Sequence, residues 1–193
     1  MLTKHALKPL ILTALQEDIA TGDVTSEAIF SPTDNASAVF LVKQNGVLCG
    51  LELARWVCEE VATRCNDTTL QWEASALDGD LIRAGTVVAT VHARAITLLQ
   101  AERTALNFLQ RLSGVASLTR IYVQTLAGTA TKVADTRKTI PGWRMLDKYA
   151  VATGGGMNHR IGLFDMALIK DNHRDAAGSL TAAITKCLSL IHI

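Results

Sequence analysis

The chain has 193 residues, 19 Lys plus Arg against 18 Asp plus Glu for a net charge of +1, and 49% of its residues are apolar. That balance is enough to bury a core and excludes a disordered or collagen-like chain, while near-neutrality speaks against a dedicated nucleic-acid binder. No stretch approaches the ~20 uninterrupted apolar residues of a membrane helix, and the start runs into acids before any small-residue cleavage site, so the chain is expected to be soluble and cytoplasmic. In chain order, residues 6–19 have helical apolar spacing, with Pro9 early enough for a first turn. A polar loop, TGDVTS, follows. SAVFLVK and GVLCGL are β-like runs around Gln44, Asn45 and Gly46, and Asn-Gly predicts a hairpin between them.

A helix is predicted over Leu51–Arg64, then strands in TTLQWEA, DGDLI and TVVATVHA, with turns at Asp78-Gly79 and Ala84-Gly85. The pattern from Ala95 to Leu112 is helical, is interrupted at Ser113-Gly114, and resumes to Gly128. Beyond it, KVADTRKT, GGMNHR and ALIKDNH read as short strands ending in polar or charged residues. Two parts follow from this, an N-terminal α/β layer with its linking helix over 1–112 and an α/β part over 113–193.

Cys49, Cys58, Cys65 and Cys187 form no C-x-x-C pair and have no His spaced for zinc, so they are expected to be reduced, buried thiols. Residues 137–174 hold 7 basic and 3 acidic side chains, whereas residues 1–136 are net acidic. Groups at the carboxyl ends of parallel strands line the ligand crevice. Arg137 and Lys138, His159 and Arg160, and Lys170 stand at three such ends. Neighbouring strands would converge four fixed cations in one pocket, an arrangement that suits a polyanion carrying carboxylate and phosphate groups. Several residues keep two readings. Gly154-Gly155-Gly156 is a phosphate cradle or a strand-entry turn. His159 is an acid or base or simply bonds its neighbours, and Asp135 and Asp171 help hold a metal-bound ligand or, preferably, pair with adjacent cations. His5 and His92 have no evident partner, and Ser113 lacks a nucleophile elbow.

The stretches ALQEDIATGDVTS (14–26), AERTALNFLQRLSGVAS (101–117), DTRKTIPG (135–142), KYAVATGGGMNHRIGL (148–163) and ALIKDNH (167–173) together resemble the quinolinate phosphoribosyltransferases. The resemblance implies an N-terminal α/β sandwich followed by the first part of an incomplete α/β barrel. It implies transfer of the phosphoribosyl group from phosphoribosyl pyrophosphate to the quinolinate nitrogen, with decarboxylation to nicotinate mononucleotide in NAD biosynthesis. By matching position, Arg137, Arg160 and His159 would hold the quinolinate carboxylates, with Thr136, Lys138 and Lys170 around both substrates; Lys138, Lys170 and His159 would be catalytic. Arg103 would reach the partner's site in a homodimer. Mg²⁺ would come with phosphoribosyl pyrophosphate, with no protein ligand assigned in this chain.

A closed barrel takes ~250 residues, and the stretch from Gly128 onward has room for about two or three βα units, so the chain is expected to be C-terminally truncated and marginally stable. Two competing functions are carried forward. One is a non-catalytic fragment that binds anions or pairs with a full-length subunit; the other is a paralogous phosphoribosyltransferase with another acceptor.

Overall fold

The computed structural model describes residues 2–191, with side chains through Ser189. Its first helix, α1 (Lys4–Ile19), is capped by Thr3, whose hydroxyl accepts from the Ala6 amide at 3.3 Å. Leu7, Ile11, Leu15 and Ile19, four residues apart, form its buried stripe. Because the Thr3 cap starts the helix before residue 6, Pro9 falls in the second turn rather than the first and removes one bond of the ladder. The expected polar loop is instead a short helix, α2 (Val24–Ile29). Asp23 accepts from the Thr25 and Ser26 amides at 3.2 and 3.0 Å, and Glu27 reaches back to the Asp23 amide at 3.1 Å.

In the three-stranded antiparallel sheet, β5 (Val87–Arg94) lies between β1 (Asn35–Leu41) and β3 (Gln71–Ala74). Val88, Val91 and Ala93 of β5 are buried. A separate pair joins β2 (Gly46–Val47) to β4 (Leu81–Ile82), so the predicted Asn-Gly hairpin between residues 37–43 and 46–51 does not form. Asn45 instead accepts from the Ala84 amide at 2.9 Å, and a Cβ on Gly46 would stand 2.6 Å from the Ser117 hydroxyl. That glycine serves a close approach to a helix, not a turn. Gly79 and Gly85, with φ of +98° and +88°, do make the predicted turns.

The next helix, α3 (Leu51–Arg64), matches its prediction and is capped by Asp78, which accepts from the Gly50 and Leu51 amides at 2.9 Å each. The expected break at Ser113-Gly114 is absent: α4 (Ala95–Thr125) runs without interruption for 31 residues. Gly114 costs a helix interior ~1 kcal/mol, which tertiary contacts offset here. Ser113 bonds the backbone of Cys49, accepting at 3.0 Å and donating at 3.1 Å, and Ser117 accepts from the Val47 amide at 2.8 Å. At its N-terminus, α4 is capped from outside. The Asp67 carboxylate accepts from the Arg94 amide at 2.9 Å and the Thr97 hydroxyl at 2.8 Å, as well as from the amide and hydroxyl of Thr69 at 2.8 and 2.7 Å.

The core joins the α1 stripe to Leu53, Val57 and Val61 of α3 and to Ala105, Phe108, Leu112 and Ala116 of α4. Leu146 and Ala150 of α5 (Arg144–Thr153) complete it, and Trp143 stacks on Phe108 at 4.9 Å between ring centroids. Contacts divide the chain into two units, Met1–Asn158 and His159–Ile193. The second contains α6 (Asp171–Ala177), ended by Gly178 at φ +88°, and α7 (Leu180–Ile191).

Of the three segments predicted as strands after α4, only residues 133–135 and 157 pair in parallel. The Met157 amide donates to Val133 at 2.9 Å and the Asp135 amide to Met157 at 3.1 Å, around a single Ala134–Met157 bridge. Residues 167–173 form no strand; the His173 ring accepts from the Lys170 amide at 2.9 Å and starts α6 at Asp171 instead.

Candidate active site

Within the first unit, the parallel bridge delivers Thr136, Arg137 and Lys138 directly after Asp135. Thr136 accepts from the Lys138 amide at 3.0 Å, a side-chain turn that shapes the segment. Lys138 is exposed, whereas Arg137 is half-buried and its Nε is shut off from water without a hydrogen-bond partner among the described residues. A guanidinium donor not committed to another part of the protein can be given to an anionic ligand.

Behind this segment lies a pair that sequence reading overlooked. Lys148 of α5 is 3% exposed, and its ammonium donates to the Asp135 carboxylate at 2.5 Å. With its amide oriented to satisfy both neighbours, Asn158 donates to the other Asp135 oxygen at 2.7 Å and to the Lys148 carbonyl at 2.9 Å. Asp135 therefore does pair with a cation, yet the partner is 13 residues away on a helix rather than the adjacent Arg137 or Lys138. Lys148 is two residues from both Leu146 and Ala150, which puts it about 200° around α5 from their buried face, so helical spacing gave no signal that this lysine is buried.

Gly154-Gly155-Gly156 acts through packing. A Cβ on Gly154 would stand 2.4 Å from the Ala116 carbonyl of α4, and Gly155 takes φ +92°, as the turn reading expects.

In the second unit, the His159 Nδ1 accepts from the Arg160 amide at 2.8 Å, which leaves the proton of the neutral ring on Nε2. Arg160 is 6% exposed and donates to the Met166 carbonyl at 3.1 Å. Asp165 closes the following turn by accepting from Ile161 and Gly162 at 2.7 and 2.8 Å. Lys170 is exposed at the start of α6, and Asp171 meets Arg174 only at 3.9 Å, an exposed contact of little energetic weight. Thr136 to Lys138 are thus gathered in one unit and His159, Arg160 and Lys170 in the other. Arg103 is exposed on α4 between the buried Ala101 and Thr104.

The other singled-out groups are structural. Cys49 and Cys58 are buried as expected, and burial pushes both thiols up to about 12; Cys65 and Cys187 are only half-buried. His92 has a partner after all, the Ser37 hydroxyl across the sheet at 2.6 Å. Among the described residues no helix is long and apolar enough to cross a membrane.

Two family models match the chain: "Quinolinate phosphoribosyl transferase, N-terminal domain" over residues 23–113 and "C-terminal domain" over residues 115–191. A probable nicotinate-nucleotide pyrophosphorylase of Bacillus subtilis is 43% identical over 180 residues, covering 93% of this chain and 60% of that protein. A quinolinate phosphoribosyltransferase of Nicotiana glauca is 43% identical over 181 residues, 93% of this chain and 50% of that protein. The crystal structure of NadC from Streptococcus pyogenes superposes with a TM-score of 0.92 at 37% identity, covering 99% of this chain and 66% of that one. The nicotinate-nucleotide pyrophosphorylase of Francisella tularensis gives 0.91 at 37% identity, over 98% and 65%. The chain spans about half to two thirds of the length of these relatives. Their folds agree with the expected class, an α/β sandwich followed by the first part of an incomplete α/β barrel.

Proposed function

Because the chain belongs to the quinolinate phosphoribosyltransferase family, we propose that it carries the quinolinate-binding side of an enzyme that moves the phosphoribosyl group of phosphoribosyl pyrophosphate onto the quinolinate nitrogen. Pyrophosphate leaves, one carboxylate departs as CO₂, and nicotinate mononucleotide remains. The observation that carries this reading is Arg137, a half-buried guanidinium with an unspent donor, set beside the exposed Lys138. A planar fork of donors matches a carboxylate, and an adjacent ammonium adds a point charge.

In this reading Arg137, Arg160 and His159 grip the two carboxylates, with Thr136, Lys138 and Lys170 around the dicarboxylate and the phosphoribosyl substrate. Displacing pyrophosphate builds negative charge on the leaving group, so Lys138 and Lys170 contribute by electrostatic stabilisation. The pyridine nitrogen is itself the nucleophile, and once alkylated its positive charge stabilises the carbanion that departing CO₂ leaves on the adjacent ring carbon, which a proton from solvent then converts to a C–H bond.

Mg²⁺ belongs to this proposal as part of the phosphoribosyl pyrophosphate substrate; no three His, Cys, Asp or Glu groups cluster among the described residues to hold it, and no step is assigned to it. The proposal extends to a cytoplasmic homodimer in which Arg103 reaches the partner's site. Its support is the exposure of Arg103 on α4, next to Glu102, which with Phe40, Val91, Leu99 and Leu106 lines a groove of about 450 Å³, a largely apolar face suited to a partner.

Calorimetric titration tests the reading. Quinolinate should bind at least tenfold more tightly than nicotinate, since a charged hydrogen bond is worth ~1.5–3 kcal/mol, and Arg137→Ala should abolish the difference. Equal affinity for the two acids in the unsubstituted chain would refute it.

A further inference from the structure

Lys148 has no place in the binding roles above, yet it is among the most deeply buried charges described. Three successive residues of α5 each fasten the helix to a different element. Asp147 pairs with Arg111 of α4 at 3.2 Å, Lys148 with Asp135 at the strand end, and Tyr149 donates to Asp78 at 2.7 Å. Successive helical residues point about 100° apart, so the three bonds leave α5 in three directions and fix both its position and its rotation. Asp78 in turn caps α3, which ties this helix to the sandwich core.

A buried ion pair adds little net stability, because desolvation offsets most of the attraction; its worth lies in selecting one conformation. Here the selected conformation is that of the backbone immediately before Thr136, Arg137 and Lys138. Asp135 is bonded on both oxygens, by Lys148 and by Asn158, and its amide is bonded to Met157. Without Lys148, the Asp135 carboxylate would lose its ammonium partner directly before Thr136, Arg137 and Lys138, the segment that a ligand anion needs.

We propose that Lys148 is a positioning residue: its ion pair with Asp135 holds the Thr136–Lys138 segment in its binding conformation and neutralises the buried carboxylate that directly precedes it. The ligand's identity rests on the proposed function; the positioning does not. Removing the ammonium while keeping the stem should therefore weaken anion binding, and removing both charges together should restore it.

The experiment compares the full chain with Lys148→Met, Lys148→Arg and the Asp135→Asn/Lys148→Met double variant. Amide hydrogen exchange at Asp135 and Met157, both bonded across the bridge, is read beside quinolinate affinity. Lys148→Met should speed exchange at these two amides at least tenfold and lower quinolinate affinity at least tenfold. Lys148→Arg and the double variant should each stay within about threefold of the parent in affinity. Faster exchange with unchanged affinity would reduce the pair to a structural brace and overturn the proposal, as would a double variant no better than Lys148→Met. If the parent itself binds no quinolinate, the substrate assignment fails, and exchange alone decides for or against Lys148. Should Lys148→Met not fold, Lys148→Arg and the double variant still decide, since both must bind if the charge balance is what matters.

Discussion

Asp67 offers a quantitative test of how the two halves of the sandwich are joined. Its side chain is fully buried at the N-terminus of α4, where four hydrogen bonds from Thr69, Arg94 and Thr97 converge on it. Burial alone would raise its carboxyl pKa, but those hydrogen-bond donors outweigh it, and the value falls from 3.8 to about 2. A depressed carboxyl stabilises the fold above its unfolded value, and that stability is lost as pH falls through the folded value. At 1.36 kcal/mol per unit the charge contributes about 2–3 kcal/mol at neutral pH and under about 1 kcal/mol at pH 2.5. The assay is denaturant unfolding of the parent and Asp67→Asn at pH 7, 4 and 2.5. The variant should be less stable by at least ~2 kcal/mol at pH 7 and pH 4, and the gap should shrink by more than half at pH 2.5. A gap independent of pH across that range would refute the account, because hydrogen-bond shape alone would then explain Asp67.

Further expectations follow from the packing. Leu146→Ala should cost ~2–5 kcal/mol of unfolding free energy, since Leu146 is wholly buried in the core and joins α5 to it; a cost below ~1 kcal/mol would contradict that placement. Gly154→Ala should lower the melting temperature by several degrees, because its methyl would meet the Ala116 carbonyl backbone, and an unchanged melt would contradict the contact. A thiol reagent at neutral pH should modify Cys65 and Cys187 in the folded chain and reach Cys49 and Cys58 only on unfolding, which mass spectrometry of the labelled peptides would read directly.

What could be read in advance was whatever depends on local pattern. Apolar spacing located α1 and α3, and glycines with positive φ located two turns. Nonlocal competition decided the failures. Asn45-Gly46 had the local chemistry of a hairpin, but Ala84 and Ser117 claimed those residues for other contacts. Ser113-Gly114 had the look of a break, but Cys49 offered the serine two backbone partners. The basic residues Arg137 and Lys138 were visible as a charge cluster, whereas their support was not. Lys148 pairs through space, and no periodicity reveals which acid a buried lysine will meet.

The unbroken course of α4 also bears on modularity. The two family segments matched here adjoin at Gly114, inside the helix rather than at a linker. Cutting the gene at that seam would leave the downstream piece a helical stub shorter than the ~12–15 residues that hold helix unaided, and would strip Ala116 from the upstream core. The two segments are therefore not interchangeable cassettes. Recombination that swaps one for a relative's counterpart should succeed only when the whole of α4 travels with one side.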